Sequence, residues 1–230
     1  MGRAVFGMRV YSKKKKRARI ILFFAVAVVV SVGCYLLQRG RAASSYGCAA
    51  PVHSVITGDG VLTVTLSLDG SETDAALELF RAVCEGLGVK PCVFVSTKWL
   101  EKHDGETERL SFAELGLLVP ESGNARSGKK ARETLAKEND LFLAYTGVFP
   151  HYVRVAEEKP SEAVCEAAVL VGQVCVGSNA DLTSSPLSGS IVDCGKLDGT
   201  TGYALAKFCA EVLGKEMECI SLTELLSNKI

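Results

Sequence analysis

No acidic residue occurs before Asp59, although the 230-residue chain carries 26 acids in all. Histidine is scarce as well: there are three, His53, His103 and His151, and none has a cysteine or carboxylate partner at metal-ligand spacing. The nine cysteines contain no Cys-x-x-Cys and no Cys/His cluster, which excludes a zinc ribbon or finger. A phosphate-cradling glycine loop, a nucleophile elbow and a His-Glu-x-x-His helix are all missing, so those three chemistries have no sequence basis. There is no internal repeat, and no low-complexity tract beyond Lys13–Lys16.

What is present begins at the N-terminus. Residues 1–19 hold Arg3, Arg9, Lys13–Lys16, Arg17 and Arg19, and an apolar run follows from Ile20 to Leu37, flanked by Arg39 and Arg41. Eighteen residues at about 1.5 Å each span roughly 27 Å, close to the hydrocarbon thickness of a bilayer. The leading expectation is a basic cytoplasmic tail (1–19) and a transmembrane signal anchor (20–37). A tether (38–59) and a body (60–230) follow. Two alternatives stay open: a signal peptide cleaved near Ala42–Ser44, and a lipoprotein signal ending at Cys34. In all three the body is extracytoplasmic. Lys13–Lys16 serve to orient the helix, and nothing singles out specific binding of anionic lipid.

The formal charge of zero hides an asymmetry. Ten of the 26 basic residues precede residue 42, and the remainder holds 16 basic and 26 acidic residues, close to −10. A body of that sign argues against nucleic acid as a partner.

Helix and strand signals alternate through the body. Val61–Leu68, Pro91–Ser96, Leu141–Tyr145, Tyr152–Val155, Val174–Gly177, Ser190–Cys194 and Met217–Ile220 read as strands. Ser71-x-x-Asp74 reads as a capping box for a helix with Ala76, Phe80, Val83 and Leu87 on one face and a stop at Gly88. Lys129–Asn139 reads as a charged, exposed helix. Pro160 opens a helix carrying Ala163, Ala167, Leu170 and Val171, and Thr201–Leu213 carries Leu205, Phe208, Cys209 and Val212. Ser221-x-x-Glu224 caps a terminal helix. Alternation of this kind implies parallel strands with crossover helices, in a barrel or an open sheet. Cys84, Cys165 and Cys209 fall in helices and Cys92, Cys175 and Cys219 in the strands that follow. Each couple straddles a helix–sheet contact as small buried hydrophobes, or as a disulfide where geometry permits.

Val61–His103 (VLTVTLSLDGSETDAALELFRAVCEGLGVKPCVFVSTKWLEKH) resembles the opening of the NodB-homology polysaccharide deacetylases. The similarity continues through TGVFPHYVRVAEEKPSEAVCEAAVLVGQVCVGSNADL and GSIVDCGKLDGTTGYALAKFCAEVLGKEMECISLTELL, in family order. With the N-terminal anchor, the chain looks most like the sporulation-associated, membrane-anchored members. The resemblance implies an α/β fold, a distorted (β/α)7 barrel. It also implies a family chemistry in which a divalent metal such as Zn, held by one Asp and two His, activates water for amide hydrolysis.

Carried over by position, that machinery is degenerate. One register of Thr-Phe-Asp-Asp-Gly puts Leu68 at the base and Asp69 at the metal. The register shared with sporulation-type members puts Thr65 at the base and Ser67 after it. The metal-binding histidines fall on Leu118 and Ser122, although Glu114 and Gly116 match. Arg154 matches the third motif, but Val155 and Ala156 replace its prolines, and Asp181 matches the aspartate after the sixth strand. The late Leu-His becomes Cys194-Gly195. The resemblance therefore implies no catalytic residue, no resident metal, and Asp69, Arg154, Asp181 and Asp193 as candidate groove residues. The expected function is a membrane-anchored deacetylase-like protein that binds cell-wall or spore-envelope glycan or an envelope protein. The rival is an active metal-dependent N-deacetylase of peptidoglycan or chitooligosaccharide with displaced ligands. A third reading is a scaffold that meets its partner through Lys129–Asn139.

Overall fold

The structure is a computed structural model and describes residues 50–156 and 159–227. The tail, the apolar run and most of the tether lie outside the described residues. Among those described, no helix is long and apolar enough to cross a membrane.

The strands are β1 (Val61–Leu68), β2 (Cys92–Ser96), β3 (Glu114–Val119), β4 (Tyr152–Val155), β5 (Val174–Cys175), β6 (Ala180–Asp181), β7 (Ile191–Asp193) and β8 (Glu218–Cys219). The helices are α1 (Asp74–Leu87), α2 (Thr97–Lys102), α3 (Gly128–Thr146), α4 (Glu162–Leu170), α5 (Thr201–Gly214) and α6 (Leu222–Ser227). The strand path is β5-β4-β3-β2-β1-β7-β6, with β8 beside the start of β1. Every pairing between these strands is parallel. From β1 to β5 crossover helices connect the successive parallel strands, because a hairpin cannot, whereas a helix-free loop joins β6 to β7.

Alternation along β1 sorts its side chains between two layers. Leu62, Val64, Leu66 and Leu68 pack outward with Phe80, Cys84, Leu205 and Phe208 of the helices. Val61 faces an inner cluster with Cys92, Phe94, Leu118, Val176 and Ile191, closed from below by Leu222, Leu225 and Leu226 of α6. The domain also starts before residue 60. Val52 bridges Val176 and Ser54 bridges Ser190, so a segment assigned to the tether links the end of β5 to the start of β7. Val55 is buried there and donates to the Gly189 carbonyl at 2.8 Å.

Gly189 has φ +76°, and a Cβ there would lie 1.7 Å from the Val55 carbonyl oxygen. Gly189→Ala is therefore expected to loosen this segment and cost at least about 2 kcal/mol. Thermal melting and proteolysis between residues 50 and 60 check this; an unchanged midpoint with an uncut segment refutes it.

Several local expectations change. Thr73, not Ser71, caps α1, because Glu72 turns back to accept from the Asp69 and Gly70 amides. Leu87 at the end of α1 is exposed. Leu141–Tyr145 is not a strand but the last turns of α3, where Ala131, Leu135, Glu138, Asn139 and Phe142 form one buried face. That spacing is helical, and Gly147 at φ +72° stops it. α4 is capped by Ser161 and buries Val164, Cys165, Ala167 and Ala168, leaving Leu170 exposed. Cys84 and Cys92 do not meet, since they belong to opposite layers of the sheet.

Candidate functional site

Parallel strands bring all their carboxyl ends to one mouth, the usual place for a ligand in such sheets. The inward positions there are Thr65 and Ser67 on β1, Leu118 on β3, Arg154 on β4 and Asp193 on β7. Leu68 packs in the outer layer, so of the two registers the one using Thr65 and Ser67 faces the interior.

Arg154 occupies the centre and is only 7% exposed. Its Nη1 donates to Asp193 Oδ1 at 3.2 Å, and Nη2 donates to Thr65 Oγ1 at 2.9 Å and to the Gly177 carbonyl at 3.2 Å. Nε points to the Val176 carbonyl at 3.5 Å. The guanidinium carbon sits 4.4 Å from the centroid of Phe94, a cation–π contact. Gly116 makes room for that ring, because a Cβ at 116 would come within 2.7 Å of it. Thr65 in turn donates to the Val192 carbonyl at 3.0 Å. Burial lowers the pKa of Arg154, and the charge of Asp193 opposes that shift.

A cavity of about 370 Å³ opens on this pair, lined by His53, Ser67, Arg154, Lys159, Ser178 and Asp193 among others. A second, of about 190 Å³, is lined by Ser67, Asp69, Leu118, Ala156, Asp193 and Gly195 among others. Asp69, Leu118 and Gly195 therefore do share one mouth. The Asp69 carboxylate lies below its usual range, chiefly through its hydrogen bonds from Ser71 and also through Lys196. Asp181 is the register neighbour of Asp193, but its Oδ1 accepts from Thr183 and Ser184 within its own turn. It does not line either cavity.

Two mouth residues were missed in the sequence. His53 arrives on the bridging segment and Lys159 on the loop before α4. The β-branched residues Val52, Val55, Ile56 and Thr57 beside His53 were the available signal for a paired segment. The His53 Nδ1 lies 3.1 Å from the Ser178 carbonyl, so Nδ1 carries the proton. His103 instead stacks on Trp99 and bonds the Trp99 carbonyl at 2.9 Å, a helix-end role away from the mouth.

The donor set does not fit the family's metal. Of the two metal-histidine positions Leu118 offers no ligand atom and Ser122 only a hydroxyl, and Asp193 is already paired with a permanent cation that repels a second one. Among the described residues no three His, Cys, Asp or Glu side chains gather as a metal site. A nucleophile–base pair is not assembled either: among the described residues no hydroxyl or thiol hydrogen-bonds the His53 ring, whose Nδ1 donates to a carbonyl, and the Asp193 carboxylate is paired with Arg154. The mouth can instead offer fixed hydrogen-bond donors and acceptors to a polar ligand.

No family model matches the sequence, and no curated protein matches it. Solved structures do resemble it. A CE4-family pseudoenzyme from Bacillus anthracis superposes with a TM-score of 0.70 at 16% identity, covering 79% of this chain and 70% of that one. A family 4 carbohydrate esterase from Bacillus anthracis gives 0.69 at 18%, covering 81% and 91%. PdaA of Bacillus subtilis, also a family 4 carbohydrate esterase, gives 0.64 at 14%, covering 80% and 88%. The described domain thus has the α/β fold of these family 4 carbohydrate esterases and of the pseudoenzyme.

Proposed function

We propose that this protein is a membrane-anchored, extracytoplasmic polysaccharide deacetylase-like protein without hydrolytic activity, which binds envelope glycan at the barrel mouth. One observation carries the reading: the mouth is built around the Arg154–Asp193 ion pair, where the family's chemistry needs a metal and a free carboxylate. Arg154, Asp193, Ser67 and Asp69 present donors and acceptors to sugar hydroxyls and amides. The basic tail and apolar run supply the anchor, with the acidic body outside. Likeness to a fold shared by a family 4 carbohydrate esterase and by a pseudoenzyme is compatible with either outcome for catalysis, and the donor set supports the non-catalytic one.

Retention on purified peptidoglycan is the test. The full-length protein is expected to be retained. Ala156→Trp, which fills the space beside Asp69 and Leu118, is expected to weaken retention at least about tenfold, or about 1.4 kcal/mol. No retention of the native protein removes glycan binding and leaves an envelope protein as the partner. Acetate release after addition of Zn²⁺, Co²⁺ or Ni²⁺ overturns the non-catalytic reading in favour of a deacetylase with displaced ligands.

A further inference from the structure

In two of the three helix-to-strand cysteine couples the free thiols face each other. Cys165 on α4 hydrogen-bonds Cys175 on β5, and Cys209 on α5 hydrogen-bonds Cys219 on β8. The two couples differ in access. Cys165, Cys175 and Cys209 are 1%, 4% and 4% exposed within the same outer core, so the difference lies in the cavity beside the second couple. Cys209 and the half-buried Cys219 form part of the wall of a cavity of about 460 Å³, beside Leu87, Met217, Glu216 and Glu218. This cavity lies at the opposite end of the barrel from the mouth, since β8 pairs with Val61 and Leu62 at the start of β1.

We propose that Cys209–Cys219 is a disulfide-forming site, oxidised by a small external disulfide that enters this cavity. The Cys219 S–H stabilises a thiolate on Cys209, holding that thiol below its ordinary range. The Cys209 proton goes to solvent. Its sulfur then attacks one sulfur of the external disulfide, and a small thiolate leaves and is protonated. Cys219 next loses its proton and attacks the Cys209 sulfur, expelling the second small thiolate. Two protein thiols and one external disulfide become one protein disulfide and two small thiols. The new bond staples α5 to β8, and through β8 to the strand that carries Thr65 and Ser67.

Cystamine is the probe, because its two ammonium groups suit a wall that carries Glu216 and Glu218. Full-length protein is exposed to cystamine, quenched in acid, unfolded, alkylated with iodoacetamide and mapped by mass spectrometry. The expected product joins the Cys209 and Cys219 peptides, lighter by two hydrogen atoms than the reduced pair, while Cys165 and Cys175 carry the alkyl group. Its melting midpoint rises relative to reduced protein and returns on reduction, and Cys209→Ser shows neither change. The proposal is overturned if Cys209 and Cys219 both remain alkylated, if Cys209 links to Cys84 or Cys194, or if Cys165–Cys175 oxidises at the same rate.

Discussion

Asp193→Asn is expected to destabilise the domain by about 3 kcal/mol, because it leaves the Arg154 guanidinium buried without its carboxylate. For a domain of this size that is a fall of about 6–12 °C in the melting midpoint. Exposure decides the order of the two single variants. The Arg154 side chain is 8% exposed, but that of Asp193 is 34% exposed, so an abandoned Asp193 can be hydrated and an abandoned Arg154 cannot. Arg154→Met is accordingly expected to cost only about 1–2 kcal/mol, the range for lost hydrogen bonds without a stranded charge. In the double variant the Arg154→Met change removes the stranded cation, and at least half of the Asp193→Asn loss should return. Additive losses, or a shift under about 2 °C for Asp193→Asn, would mean that the ion pair does not organise the mouth.

The second large effect is a gain. Leu118→His with Ser122→His restores the two histidines of the family pattern near Asp69. Leu118 and Asp69 already line the same cavities, whereas Ser122 lies in the turn after β3. Two imidazoles and one carboxylate satisfy the three-ligand donor set of a zinc centre. Zinc at about a hundred times its Kd is then expected to stabilise the double variant by about 2.7 kcal/mol, or about 5–11 °C. The native protein is expected to show no shift, since Leu118 has no lone pair to give and is 1% exposed within the inner cluster. An equal zinc response from native and variant protein would show that the cation binds elsewhere. A variant that keeps its fold but ignores zinc would place the two positions too far from Asp69 to share an ion.

Much of the frame was legible before the structure. β1 and β4 span the residues read as strands, and the stripe Leu205, Phe208, Cys209, Val212 is the buried face of α5. The cap at Ser221 and Glu224 also formed, each residue's backbone amide bonding the other's side chain. These are local signals, written within one or two turns of chain. The failures were local ambiguities that tertiary packing resolved. Leu-Phe-Leu-Ala-Tyr is five residues long, which suits a strand as well as a buried helix end, and the preceding turns of α3 decided it. The small, polar stretch containing His53 read as tether because its pairing partners lie more than a hundred residues away.

By itself the sequence determined the alternation of parallel strands and crossover helices, the basic and apolar start, and the scarcity of histidine. Each of these depends on composition or on residue type at short spacing. The tertiary structure alone decided that Arg154 reaches Thr65 across 89 residues of chain, that His53 joins the mouth, and that Cys209 meets Cys219 but Cys84 does not meet Cys92. Those meetings depend on which face of a strand a side chain takes and how the sheet curls. No short stretch of residues encodes either one.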